Sequence, residues 1–184
     1  MSWNKIFGVA LLSLFAQLSV AASFVNTSGS ADGVAISGFD TVAFFTEKKA
    51  LQGRPEYRVE WMDAKWLFAS QQNMELFKTN PEKYAPQYGG HCPWCVSENC
   101  ICGRPVNGEF EVIDGKLYLF PDGNKGRSTG VKNAWWRTGG GPDRRIPNGE
   151  RNWPGLKAKL EAQQYSSTIP AQVPNPAVNM DAAR

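Results

Sequence analysis

YRVEWMDAKWLFA, residues 57–69, sets the fold class. Tyr57, Val59 and Trp61 alternate with charged residues, and neighbouring side chains of an extended chain point to opposite faces, so the three share one face of a strand. Met62-Asp63-Ala64 permits a turn, and Lys65–Ala69 supplies a second apolar strand, so the stretch reads as a β-hairpin. FEVIDGKLYLF, residues 110–120, follows the same logic. An Asp-Gly pair between apolar runs is the strongest short-range hairpin signal, because it accepts the left-handed backbone that a two-residue turn needs. Between the hairpins, Ser70 is placed to cap a helix through Asn80 with Met74, Leu76 and Phe77 buried, and Pro81 stops it. Asn152-Trp153-Pro154 opens a last amphipathic helix of roughly ten residues with proline in its first turn. The expected fold is therefore α+β, a small single domain with two β-hairpins and two or three short helices. The sequence shows no internal repeat.

Upstream, Asp40 is placed to cap a short helical turn that buries Val42, Ala43, Phe44 and Phe45, a structural use rather than a catalytic one. PEKYAPQYGGHC, residues 81–92, reads as a loop punctuated by aromatic rings, with Gly89-Gly90 free to turn sharply. From Pro121 to Gly149 the chain is rich in Gly, Asn, Arg and Pro. Within it Gly139-Gly140-Gly141 with Asp143, Arg144 and Arg145 lacks the Gly-Lys-Ser/Thr ending of a phosphate loop and reads as a flexible loop with solvated charges. Trp135 and Trp136 are expected to anchor this segment beneath the last helix.

The ends differ in composition from the middle. Lys5 followed by the apolar run Ile6–Leu18, then small residues at Ser19, Ala21, Ala22 and Ser23, has the pattern of a cleaved signal peptide over residues 1–22. That run is too short to span a bilayer comfortably, so no membrane span is expected after cleavage, and the product is expected to be periplasmic or secreted. Residues 23–32 read as a linker, since NTSGSADG from Asn26 to Gly33 is polar throughout. Residues 33–162 form the expected domain, and residues 163–184, which hold almost no core formers, a disordered C-terminal tail. Among 184 residues the net charge is +3, falling to +2 without Lys5, with the basic residues scattered. That is too little charge to suggest a nucleic-acid surface, and none is expected.

All four cysteines fall between positions 92 and 102, as Cys92-Pro93-Trp94-Cys95 and then Cys100-Ile101-Cys102, and His91, the one histidine, precedes the first. In an oxidising compartment these thiols could form structural disulfides that staple the loop, in any of three pairings. Four thiolates and an imidazole could instead bind a soft or borderline metal, with Cys92, Cys95, Cys100, Cys102 and His91 as candidate ligands. Sulfur donors select copper(I) and zinc over magnesium or calcium. The four-residue spacer Val96–Asn99 is short for a structural zinc site, so a low-coordinate or thiolate-bridged cuprous ion suits the spacing better. A third use is thiol–disulfide exchange by Cys92 and Cys95, though such a motif normally starts a helix after a strand, and Pro93 followed by Val-Ser-Glu-Asn gives no such pattern. No Ser-His-Asp or paired-carboxylate constellation can be assembled, which argues against a hydrolytic enzyme.

Gly38-Phe39-Asp40-Thr41-Val42-Ala43-Phe44-Phe45, then Trp66-Leu67-Phe68 before a helix, then Pro81 through Gly90 and a Cys, resembles the YHS domain. The likeness continues through Val96-Ser97, Val112 to Leu119, and Asn152-Trp153-Pro154 with Leu156, and covers residues 33 to 160. YHS domains are small α+β modules, found alone in exported bacterial proteins and attached to heavy-metal pumps and oxygenase-type enzymes. The resemblance implies heavy-metal handling, with copper first and Cys92 as the matching ligand position. Beside the soft metal ion, an unidentified envelope protein is the expected partner. His91 stands where an aromatic residue is usual, and Cys95, Cys100 and Cys102 depart from the common pattern. They either complete a metal site or staple the loop.

Overall fold

The computed structural model describes residues 23–121, 130–138 and 140–162. The expected signal peptide and C-terminal tail lie outside them. Strands β1 (Arg54–Trp61) and β2 (Ala64–Phe68) pair antiparallel, as do β3 (Val106–Ile113) and β4 (Lys116–Pro121). Both turns use two left-handed residues, Met62 and Asp63 (φ 50° and 55°) and Asp114 and Gly115 (φ 51° and 74°). The alternation read from the sequence is present: Trp66 and Phe68 are buried on one face of β2 while Lys65 is exposed.

Helical segments among the described residues are more numerous than expected. They are α1 (Ala43–Thr46), α2 (Gln71–Thr79), α3 (Pro81–Tyr84), α4 (Pro93–Ser97), α5 (Val131–Arg137) and α6 (Gly141–Ala162). Ser70 caps α2 as expected, its hydroxyl accepting from the Asn73 amide at 3.2 Å. Pro81 both ends α2 and begins α3, because proline is tolerated in a first turn, and Asn80 caps that turn by accepting from the Lys83 amide at 3.1 Å. The largest correction is α6, which begins eleven residues before Asn152 and absorbs part of the expected loop. Its inward stripe is Arg145, Gly149, Leu156 and Leu160, so the first half of the helix presents an arginine and a glycine where an apolar period would be sought. Arg145 is buried rather than solvated, and Trp136 is exposed while Trp135 is fully buried against Tyr118 and Phe120.

The chain contains a structural repeat that the sequence reading missed. The parallel bridge Val34↔Lys65 recurs as Pro86↔Leu117, each partner 52 positions on (34 to 86, 65 to 117). Immediately after each bridge comes a left-handed turn, Ile36-Ser37 (φ 45° and 56°) in the first half and Tyr88-Gly89 (φ 56° and 59°) in the second. A short helix follows, α1 or α4, and then a hairpin in the same register: Val59↔Trp66 corresponds to Glu111↔Tyr118, and Trp61↔Ala64 to Ile113↔Lys116.

Strand β4 joins two cores. Leu117 and Leu119 face a cluster with Phe44, Trp66, Phe68 and Phe77, whereas Tyr118 and Phe120 face one with Tyr88, Trp94, Val96 and Trp135. Cys92 and Cys95 belong to the second cluster. Residues 23–26, read as linker, are packed into the domain. Val25 is buried, and the Asn26 side-chain amide donates to the Gly90 and Arg104 carbonyls at 3.1 and 3.0 Å.

Candidate metal centre

Three of the five expected ligands converge. The sulfurs of Cys92, Cys95 and Cys102 all lie within 4.8 Å of one another. A common ion about 2.3 Å from each sulfur requires sulfur separations of just under 4 Å in trigonal or tetrahedral geometry, so only small side-chain movements separate this group from a coordination shell. Helix α4 brings Cys92, at its N-cap, and Cys95, in its first turn, to one side, and the chain leaving α4 returns Cys102 to them. This corrects the expectation that no helix follows Cys92: Pro93 is the helix's first residue and has no amide to leave unpaired there.

Cys100 is close but outside the tight group. Its thiol donates to the Cys95 carbonyl at 3.2 Å. His91 is buried, with Nε2 3.1 Å from the Phe24 carbonyl oxygen and Nδ1 without a hydrogen-bond partner. The carbonyl can only accept, so Nε2 carries the proton and Nδ1 keeps a free lone pair. All four cysteines stand as free thiols in this structure.

The thiols are electrostatically unequal. Hydrogen bonds from Cys102 and then Cys95 hold the Cys92 thiol well below the ordinary range, with a smaller push from the backbone amides of Cys95 and Trp94. Cys95 is raised, chiefly because it is the donor towards Cys100, Cys102 and Cys92. Cys102 is pushed up to about 12, first by its bond to Cys92, and Cys100 is lowered by its bond to Cys95. Burial pushes His91 down to about 4, against smaller opposing effects of Cys102 and the Phe24 carbonyl, so the imidazole is neutral. A compact, largely buried set of sulfur donors with no carboxylate in the group can hold a soft metal ion.

Asp40, at the corresponding place in the first half, shows the contrast. Its Oδ1 accepts from the Val42 and Ala43 amides at 2.9 and 3.2 Å, and its Oδ2 from the Ala69 amide and Asn73 Nδ2 at 2.8 and 2.7 Å. The carboxylate is fully buried and fully occupied as a cap, as the sequence indicated.

The fold and the thiol group define a small α+β module with a candidate site for a metal ion. The YHS domain family model matches residues 42–88, and the chain is a YHS domain-containing protein. The match spans α1 to α3 and ends at Tyr88, before the first cysteine, so the thiol group lies in the part of the repeat beyond it. No curated protein and no solved structure gives a significant match.

Proposed function

We propose that the protein is an exported soft-metal binding module that holds a cuprous ion between Cys92, Cys95 and Cys102. The observation that carries this reading is the mutual approach of the three sulfurs within 4.8 Å. Three thiolates match the low coordination number of copper(I), whereas a zinc site would need a fourth donor. Binding releases the thiol protons, so uptake strengthens as pH rises. Cys100 and the free Nδ1 of His91 are the outlying donors of the five. Support for metal handling also comes from the YHS match, and support for export from the signal-like residues 1–22. On this reading the protein works in the periplasm or outside the cell and passes its ion to an envelope protein.

Titration of the reduced full chain with cuprous ion against a competing chelator tests the proposal. One ion per chain is expected, lost in Cys92→Ser and Cys95→Ser and kept in Cys100→Ser. Absence of uptake by the reduced wild type, or thiols fully oxidised in protein taken from its native compartment, defeats it. A second reading, thiol–disulfide exchange, gains from the placement of Cys92 at the start of α4. It requires a reversible Cys92–Cys95 couple and turnover in an insulin-reduction assay.

A further inference from the structure

Helix α4 has five residues and carries two of the three converging sulfurs, one at its N-cap and one in its first turn. So short a helix does not hold itself in water, and its last carbonyls have no partners inside it. The Glu98, Asn99 and Cys100 amides reach the Trp94, Cys95 and Val96 carbonyls, and α6 adds further ties to this end. The Asn152 side-chain amide donates to the Val96 and Ser97 carbonyls at 3.0 and 3.1 Å. Arg145 donates from Nη1 to Ser97 Oγ at 3.2 Å and to Glu98 Oε1 at 2.9 Å. Its guanidinium lies 4.2 Å from the ring centroid of Trp94, the residue preceding Cys95. Arg145 is 6% exposed, and burying a cation costs free energy unless its donors are used. The guanidinium meets that cost with these contacts and with an Nε bond to the Thr138 carbonyl at 3.4 Å.

The first half of the repeat has a lock of the same kind in different chemistry. There Asn73 of α2 donates to Asp40, the cap of α1, so a helix packed against the short turn again fixes it. In the second half the capping position belongs to Cys92, and the lock is made instead on the carbonyl end of α4.

We propose that Arg145 and Asn152 are positioning residues of the thiol site, holding α4 wound so that Cys95 stays within reach of Cys92 and Cys102. This rests on the metal-binding reading above, but it concerns residues more than forty positions away in sequence that act on the carbonyls and flanking side chains of α4 rather than as ligands. Unwinding α4 would move Cys95 relative to Cys92 by ångströms, against a metal–sulfur bond of about 2.3 Å.

The test uses the reduced full chain as wild type, Arg145→Met, Asn152→Ala and Asn73→Ala, with folding checked by circular dichroism. Asn73→Ala removes the equivalent lock from the first half and controls for lost stability alone. Two probes are used: cuprous ion against a competing chelator, and phenylarsine oxide, which bridges neighbouring thiols whatever metal the protein carries. Arg145→Met and Asn152→Ala are expected to weaken retention of both probes about 10- to 100-fold with stoichiometry still one per chain. The thiolate-to-copper charge-transfer absorption should shift with them, and Asn73→Ala should match wild type in all of these. Wild-type retention of both probes by Arg145→Met and Asn152→Ala overturns the proposal, as does an equal loss in Asn73→Ala. A wild type that traps the arsenical but takes no cuprous ion sinks the metal reading alone, and arsenical retention across the variants then decides the positioning role by itself.

Discussion

Asp40→Asn is the sharpest perturbation available to the scaffold. The carboxylate accepts four hydrogen bonds while fully buried. An asparagine of the same shape can keep its oxygen towards the Val42 and Ala43 amides, and Asn73 can turn its own oxygen towards the new amide. The Ala69 amide cannot turn, so one buried donor is stranded at about 1–3 kcal/mol, and the remaining bonds lose their charge. The expected cost is about 2–4 kcal/mol, a large part of the stability of a domain this size. Asn73→Asp alone should be worse, since it places two carboxylates together in the interior. Combining it with Asp40→Asn restores a donor–acceptor pair, so the double variant should be more stable than the sum of the singles implies by about 1–3 kcal/mol. Urea unfolding followed by tryptophan fluorescence measures all four proteins on one scale. Asp40→Asn within about 0.5 kcal/mol of wild type, the scatter of ordinary surface changes, would refute the argument.

His91 gives a pH dependence whose sign is fixed by burial. Its pKa falls from 6.5 unfolded to about 4 folded, so the unfolded chain binds the extra proton between those values and stability drops as pH falls through that window. The full effect is about 3 kcal/mol, read as the difference in unfolding free energy between apo wild type and His91→Phe from pH 7 to 4, and a flat difference refutes it. Gly149→Ala should destabilise by about 1–3 kcal/mol despite alanine's better helix propensity. The added Cβ would stand 2.5 Å from Tyr88 Oη and 2.9 Å from its Cζ. Tyr88→Phe should recover part of that loss, and a higher melting temperature for Gly149→Ala would contradict the close packing of α6 on the second left-handed turn.

Both hairpins were legible because their signals are local: period-two alternation and turn residues that accept a left-handed backbone. The Ser70 and Asp40 caps were legible for the same reason. What the sequence concealed depends on residues distant in the chain. Helix α6 hid because Arg145 and Gly149 take stripe positions that ordinarily announce themselves by hydrophobicity, and because Pro147 and Pro154 sit inside it. The repeat hid because its two halves share backbone conformation without side chains: Ile36-Ser37 matches Tyr88-Gly89, and Asp40 matches Cys92. A Gly-Arg-Pro triplet recurs at 53–55 and 103–105, but 50 rather than 52 positions apart, too little to reveal the rest. The cysteine cluster was visible as a cluster; that Cys92, Cys95 and Cys102 form its tight group, with Cys100 beside Cys95, required the path of the chain after α4.

The repeat also bears on why, among the described residues, only one half carries a candidate site. Each half sets an anion-favouring side chain at the start of a short helix just past a left-handed turn, Asp40 in one and Cys92 in the other. In the first half four N–H donors saturate the carboxylate, and an oxygen so occupied has nothing to offer a metal. In the second half the sulfurs of Cys92, Cys95 and Cys102 lie against one another, and thiols are weak donors and acceptors. Their lone pairs are therefore not saturated by backbone donors, and a soft cation would displace the protons that Cys95 and Cys102 hold. Moving the tie that fixes the short helix from its cap to its carbonyl end, where Asn152 and Arg145 act, leaves the capping sulfur free for an ion while the backbone around it stays rigid. Separating support from ligation in this way is what would let one half of a duplicated scaffold stay purely structural while the other takes on chemistry.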